Sequence, residues 1–419
     1  MLAHGKERLT RLLRWSERYT KTDMLYLAQG GFWLTVGQVA AVVMSFTLAV
    51  GFGHLATQDA YGNYKYVLTA AALIGAFSLT GLGTAIIQAV ARGKEGVLQQ
   101  AWKLNLRWSW GITVISLAAA AYYGFAEQNL FLATSLCIVA VLLPLLNGFT
   151  LYDPYLIGKK DFRRNTLYGI FDSFFPTLLL LGALFLSDRA IVYVAAYFIG
   201  MTALAGICYW LTIRHARNNE QEPQLLHYSS HLSVMGFIAT IADKIDSLMI
   251  FNLLGPAQLG VYAYAIAIPE QIKGMLKNLV PLSMPKFAER TLGEIKQTIW
   301  KRIFVLAGVL GAGITAYIVV APYLFSVFFP VYLDSIPYSQ VYAISLLFIA
   351  CTAPLMAALQ AHQKTKALYI ATNGSAVLLL LLLPPLTIMY GIWGAIISQF
   401  IYRGVRMSLA VWQFSRLHN

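Results

Sequence analysis

The chain has 419 residues, 58% hydrophobic and only 12% charged, with a formal net charge of +13; soluble domains carry about 25% charged residues. That composition excludes an ordinary soluble enzyme and suffices for about a dozen membrane spans of ~20 residues each. All three cysteines, Cys137, Cys208 and Cys351, fall inside apolar stretches, so a disulfide framework is excluded too.

The chain opens at 1–28 with Lys6, Arg8, Arg11, Arg14, Arg18 and Lys21 around Leu9, Leu12, Leu13 and Trp15. Without a signal-peptide core, this segment reads as a basic interfacial helix. Twelve predicted membrane helices follow, at approximately 29–50, 66–90, 106–125, 130–151, 166–187, 190–213, 232–254, 258–283, 302–322, 338–360, 366–388 and 391–412. The polar linker 214–231 divides 29–213 from 232–412, giving six helices in each half, and 413–419 is a short tail. Other long loops lie at 51–65, 284–301 and 323–337, none large enough for a folded domain. A membrane glycosyltransferase or polysaccharide polymerase usually needs such a domain to hold its sugar.

Positive charge gathers after the even-numbered helices, in Arg92/Lys94/Lys103/Arg107, Lys159/Lys160/Arg163/Arg164 and Lys286/Arg290/Lys296/Lys301/Arg302, while Lys65 and Arg189 are the only two of 31 basic residues on the other side. The positive-inside rule then puts both termini in the cytoplasm. This asymmetry, with attraction to anionic lipid heads, accounts for the net charge, and no nucleic acid partner is implied.

The halves share landmarks. Gly62-Asn63-Tyr64 and Gly260-Val261-Tyr262 align at an offset of 198, and Leu167-Tyr168 aligns with Leu368-Tyr369 at 201. Six helices per repeat return the chain to the same side, so the repeats are parallel. Two such bundles would enclose a central cavity that opens to either side. The expected fold is therefore all-α, a polytopic membrane protein of two six-helix repeats.

The stretch 242–284 carries six ionisable side chains where a bilayer tolerates none: Asp243, Lys244, Asp246, Glu270, Lys273 and Lys277. At about 2.5–3.5 kcal/mol each if lipid-facing, they must face protein or water. At 100° per residue Gly236, Thr240, Asp243, Lys244, Asp246 and Ser247 share a polar arc, and Glu270, Lys273, Gly274 and Lys277 share one face of the next helix. The connecting turn is expected at Gly255-Pro256-Ala257-Gln258.

Ile245-Asp246-Ser247-Leu248-Met249, Leu254 to Ala265 and the Pro281–Pro285 run before Lys286-Phe287 resemble the seventh and eighth helices of the polysaccharide, or O-antigen, flippases. These belong to the multidrug/oligosaccharidyl-lipid/polysaccharide exporter superfamily. Gly81-Leu82-Gly83-Thr84 and Leu156-Ile157-Gly158-Lys159-Lys160 are similar to weaker landmarks of the family. Ser247 departs from the family's usual basic residue after the Asp; the neighbouring base here is Lys244. The resemblance implies movement of undecaprenyl-pyrophosphate-linked oligosaccharide from the inner to the outer leaflet of a bacterial cytoplasmic membrane. It implies H+ or Na+ as the coupling ion and no other cofactor. A polysaccharide polymerase and a chain-length regulator are the candidate protein partners, beside substrate and membrane lipids.

On this reading Lys244, Lys273 and Lys277 meet a pyrophosphate, with Lys65 at the outer mouth near the sugar, since cations offset the cost of dehydrating an anionic head group. Asp243, Asp246, Glu270 and, in the fifth helix, Asp172 carry the coupling ion or gate the site. A structural alternative pairs Asp243 or Asp246 with a neighbouring lysine to pin two helices, and lets Lys277 snorkel to the inner surface. Arg403 and Arg406 in the last helix read as inner-interface anchors. His227 and His231 lack a carboxylate at ligand spacing and form no metal site. No phosphate-binding loop is present, which counts against ATP-driven pumping by this chain. The competing functions are a multidrug or cation exporter of the same superfamily, disfavoured by the lysines, and the polymerase or glycosyltransferase above.

Overall fold

The computed structural model describes residues 24–216, 218–288, 292–362 and 364–416. The interfacial helix expected at 1–28 lies, up to residue 23, outside the described residues, as do 417–419 of the tail. Among the described residues the chain is helical throughout, with short turns and no strand. The first half holds α1 Met24–Leu55, α2 Gln58–Gly75, α3 Leu82–Ala91, α4 Val97–Trp108, α5 Trp110–Ala121, α6 Leu130–Phe149, α7 Tyr152–Gly158, α8 Phe162–Leu186 and α9 Ala190–Ile213. The second holds α10 Leu225–Ala242, α11 Ile245–Leu254, α12 Pro256–Ala288, α13 Leu292–Phe328, α14 Ile336–Ile344, α15 Leu347–Ala361, α16 Thr365–Tyr369, α17 Ser375–Tyr390 and α18 Ile392–Arg416.

Each expected span falls on one of these helices or on a pair separated by a short break. Among the described residues eight stretches are long and apolar enough to cross a membrane: Gly31–Leu55, Val97–Ala126, Leu130–Gly158, Phe162–Leu186, Ala190–Ile213, Glu294–Phe328, Pro330–Gln360 and Lys366–Tyr390. The other four expected spans are the broken pairs α2/α3 and α10/α11, and the charged helices α12 and α18. Three of these four supply the ionisable groups of the site described below.

The chain packs as two compact units. The first comprises the residues up to Leu48, Ser78–Ala183 and Ala195–Ser233; the second comprises Ala49–Phe77, Leu184–Val194 and Val234 onward. In each, one proline gap is closed by a polar side chain from a neighbouring helix. Pro144 cannot donate to the Ala140 carbonyl four residues earlier, and Thr113 Oγ1 donates to it instead at 3.0 Å. In the second unit Pro322 leaves the Ile318 carbonyl open, and Gln340 Nε2 fills it at 2.9 Å. Leaving such groups unmade in an apolar interior would cost several kcal/mol each.

Within the first unit the linker is held by acid–base contacts. Glu222 Oε2 lies 3.0 Å from Lys94 Nζ and 3.7 Å from Arg92 Nη1. Its backbone N–H and carbonyl pair with the Gln100 amide at 3.0 and 2.9 Å. Asn218 donates to the Gly93 carbonyl and accepts from the Glu95 N–H, while Glu95 holds Lys159 at 2.9 Å. Lys94, then Arg92, hold the Glu222 carboxyl below the ordinary carboxylate range. A lowered folded-state value means this contribution is present above the unfolded value of about 4.3 and is lost as pH falls through the lower folded one. Amides of 218–222 are accordingly expected to lose hydrogen-exchange protection, corrected for intrinsic rate, between pH 6 and about pH 3. Glu222→Gln should abolish that pH dependence; equal protection of the native linker at both pH values would contradict it.

The second unit contains a very close helix crossing. A Cβ on Gly62 would sit 1.8 Å from the Pro256 carbonyl oxygen, and one on Gly260 would sit 2.6 Å from that of Gln58. The contact is reciprocal in the internal repeat, because Gln58 and Gly62 precede Pro256 and Gly260 by the same 198 residues. Only glycine lets two helix backbones approach so closely. A third landmark accompanies it: Arg214 stacks on Trp210 at the end of α9 and Arg416 on Trp412 at the end of α18, at an offset of 202.

Candidate functional site

The seventh span does not form one continuous helix. It stops at Ala242, turns at Asp243-Lys244 and restarts at Ile245. The polar arc expected across 236–247 is corrected on this point, since two helices with a turn between them share no single face. The turn leaves Asp243 and Lys244 exposed, where water can hydrate adjacent ionisable groups. Asp246 instead enters the first turn of α11, where free N–H groups and the positive helix end favour a carboxylate. The connection to the next helix contracts from the four residues expected to Gly255 alone, with Pro256 at the first helical position of α12.

Asp246 is 4% exposed. Its Oδ2 accepts from Tyr262 OH at 2.6 Å and Gln399 Nε2 at 3.2 Å, and its Oδ1 from the Ser247 N–H at 2.7 Å. All these donors are neutral. Among the described residues Asp246 makes no salt bridge, so the lysine pairing offered as a structural alternative is not found there.

About two helical turns beyond Tyr262 the second carboxylate is engaged differently. Glu270 lies 2.7 Å from Lys273 Nζ and 2.9 Å from Arg403 Nη2, and it accepts from Tyr342 OH at 2.6 Å. Arg403 is buried on α18, with Nη1 donating to Ser345 Oγ at 2.6 Å and its guanidinium 4.5 Å from the centre of the Tyr342 ring. Arg403 therefore departs from its expected place as an interface anchor. It is the inner partner of Glu270.

The remaining expected residues are scattered. Lys65, on α2, stands 5.4 Å from the Tyr61 ring. Tyr61 and Tyr64 beside it are 5% and 2% exposed and pack with Phe52, so both are interior. Tyr61 also contacts Tyr264, which stacks on Tyr332 at 3.8 Å. Asp172 belongs to the first unit, near Tyr152, Tyr197 and Cys208, with Oδ1 buried and unpartnered among the described residues. Asp153, beside it, accepts from Asn165 Nδ2. The side chain of Lys277, on α12, lies outside the described residues.

The structure thus brings Asp246, Glu270 and Lys273 into one unit with Arg403, Tyr262, Tyr342 and Gln399, none of which was placed in the site from sequence. A signal for two of them was available. Gln399 and Arg403 are four apart in an apolar helix, hence on one face, where membrane-depth polar groups mark function.

Comparison with solved structures gives the fold. A multidrug-resistance transporter of the MATE family and MOP superfamily, in an inward-facing conformation, superposes with a TM-score of 0.70 at 14% identity, covering 92% of this chain and 98% of its own. The lipid II flippase MurJ, in an inward closed conformation, gives 0.63 at 13% identity, covering 91% and 87%. A MOP superfamily transporter from Pyrococcus furiosus, described as having reversed binding-pocket polarity, gives 0.64 at 16% identity, covering 93% and 95%. No curated protein sequence matches the chain significantly. At the level of sequence, residues 27–284 match the model of one family along well over half the chain, and the chain is a member of that family, the polysaccharide biosynthesis proteins.

Proposed function

We propose that the protein is a flippase moving undecaprenyl-pyrophosphate-linked oligosaccharide from the inner to the outer leaflet of a bacterial cytoplasmic membrane. It works by alternating access between two six-helix repeats, with twelve spans, both termini cytoplasmic and an H+ or Na+ gradient as driving force. One observation carries the reading: a partly exposed lysine, Lys273, held by Glu270, which the buried Arg403 holds in turn, in a chain of a polysaccharide biosynthesis family. An ammonium so placed offsets the cost of taking a pyrophosphate out of water. Lys244, exposed on the turn before Asp246, is a second cation for the same anion, with Lys277 further along α12 and Lys65 toward the sugar. Asp246 and Asp172 suit the coupling ion, being carboxylates without a salt bridge among the described residues. Asp243 is the gating acid of the exposed turn, and Glu270 stays with the lysine. Polymerase and chain-length regulator would take the product outside.

The deciding measurement is the leaflet distribution of lipid-linked oligosaccharide in cells depleted of the protein. Accumulation on the cytoplasmic leaflet is expected, and Lys244→Ala or Lys273→Ala should reproduce it with the protein inserted and abundant. Normal outward delivery with unextended units outside would transfer the function to polymerisation. Normal export by both lysine variants would remove the cationic contact.

A further inference from the structure

The two oxygens of Glu270 are held unequally. Oε1 accepts from Arg403 Nη2 at 2.9 Å and from Tyr342 OH at 2.6 Å, and Arg403 is itself locked by Ser345 Oγ and by a further bond from its Nη2 to Tyr342 OH at 2.6 Å. Oε2 is held by Lys273, at 2.7 Å. Exposure follows the same division, with the Arg403 side chain at 6% and those of Glu270 and Lys273 at 32% and 33%. An ammonium has three donors, and Glu270 takes one.

We propose that Glu270 is a tethered competitor for Lys273, and that Arg403 is the positioning residue that tethers it. An entering anion takes the open donors of Lys273 and displaces Oε2, while Oε1 stays fixed by Arg403 and Tyr342. The carboxylate thus remains within reach of the lysine and reclaims it, expelling the anion. The rigid guanidinium fork suits the tether, and the mobile ammonium suits the contact that must be exchanged. Arg403 touches no substrate in this scheme. The proposal rests on the phosphate-contact reading of Lys273 above and adds to it which acid releases the anion and what holds that acid in place.

Three signs follow. Glu270→Gln removes the competing charge, so an anion binds about tenfold tighter, the worth of one charge-assisted hydrogen bond, and leaves more slowly, so that flipping falls although binding improves. Arg403→Lys keeps the charge but loses the fork, so a displaced Glu270 is no longer held within reach of Lys273 and anion binding tightens by roughly threefold to tenfold. In the Glu270→Gln background, Arg403→Lys changes nothing, because no carboxylate is left to position.

The test is calorimetric titration of the purified full-length protein in lipid nanodiscs with inorganic pyrophosphate. Tyr342→Phe, which removes one donor to Oε1 and leaves the Arg403–Glu270 pair in place, supplies the same sign as Arg403→Lys should that variant fail to fold. Wild-type affinity in Lys273→Gln would refute the phosphate-contact reading itself. With Lys273 required for binding, unchanged or weaker binding by Glu270→Gln would overturn the competitor role. An Arg403→Lys or Tyr342→Phe effect of equal size with and without Glu270 would overturn the tether.

Discussion

Gly62→Ala is expected to destabilise the protein by about 3 kcal/mol or more, at the upper end of what overpacking costs. The added methyl would sit 1.8 Å from a backbone oxygen, that of Pro256. No side-chain rotamer can relieve such a clash, so α2 and α12 must move apart. Gly260→Ala meets the Gln58 carbonyl at 2.6 Å and should behave alike. Because both clashes sit at one crossing, the double variant should cost less than the sum of the singles: once the helices separate, the second methyl enters free space. Gly274→Ala, on the same α12 with nothing within 4 Å of its Cβ, is the control and should gain about 0.5–1 kcal/mol from helix propensity. Thermal inactivation in detergent reads all four. Equal stability of Gly62→Ala and Gly274→Ala would show that the crossing is not as tight as the backbone geometry requires.

Much of this crossing was legible beforehand. The offset shared by Gly62-x-Tyr64 and Gly260-x-Tyr262 signalled related helices, and the two glycines turn out to face each other's helix starts. Helix positions were legible for the same reason as in any membrane chain: a long apolar run has few alternatives to a helix when every backbone group must bond internally. The break at Asp243-Lys244 was not, because periodicity assumes one axis, and a polar pair inside an apolar run fits an arc as well as it fits a turn. Nor was Arg403. It lies 133 residues from Glu270, and the long arginine side chain can equally be read as snorkelling toward the interface. Only packing of α12 against α14 and of α14 against α18 reveals its partner. Pairing across such a distance leaves no local trace in composition or spacing.

Asp246→Asn should uncouple export from its driving ion while leaving the protein folded. The four donors around this carboxylate, Tyr262 OH, Gln399 Nε2 and the N–H and Oγ of Ser247, are neutral, and no cation lies within salt-bridge distance among the described residues. A carboxylate buried among neutral partners is the kind of group that gains or loses a proton, or takes up Na+, as its surroundings open. Asparagine keeps its shape and one acceptor oxygen but holds a fixed charge of zero. Since no counter-ion is orphaned by the change, folding should be unaffected or slightly improved. In proteoliposomes with an imposed H+ or Na+ gradient, the gradient-driven component of substrate flipping should fall by roughly a hundredfold, about 2.7 kcal/mol of lost driving interaction, with passive equilibration retained. Asp172→Asn, in the first unit, is the informative comparison because it too is a carboxylate without a salt bridge among the described residues, with Oδ1 buried and, unlike the oxygens of Asp246, without a hydrogen-bond partner there. Loss of the gradient response in Asp172→Asn with full retention in Asp246→Asn would assign coupling to the first unit and leave the second unit with anion handling alone. Loss in both would mean that each unit binds an ion, as two parallel repeats permit.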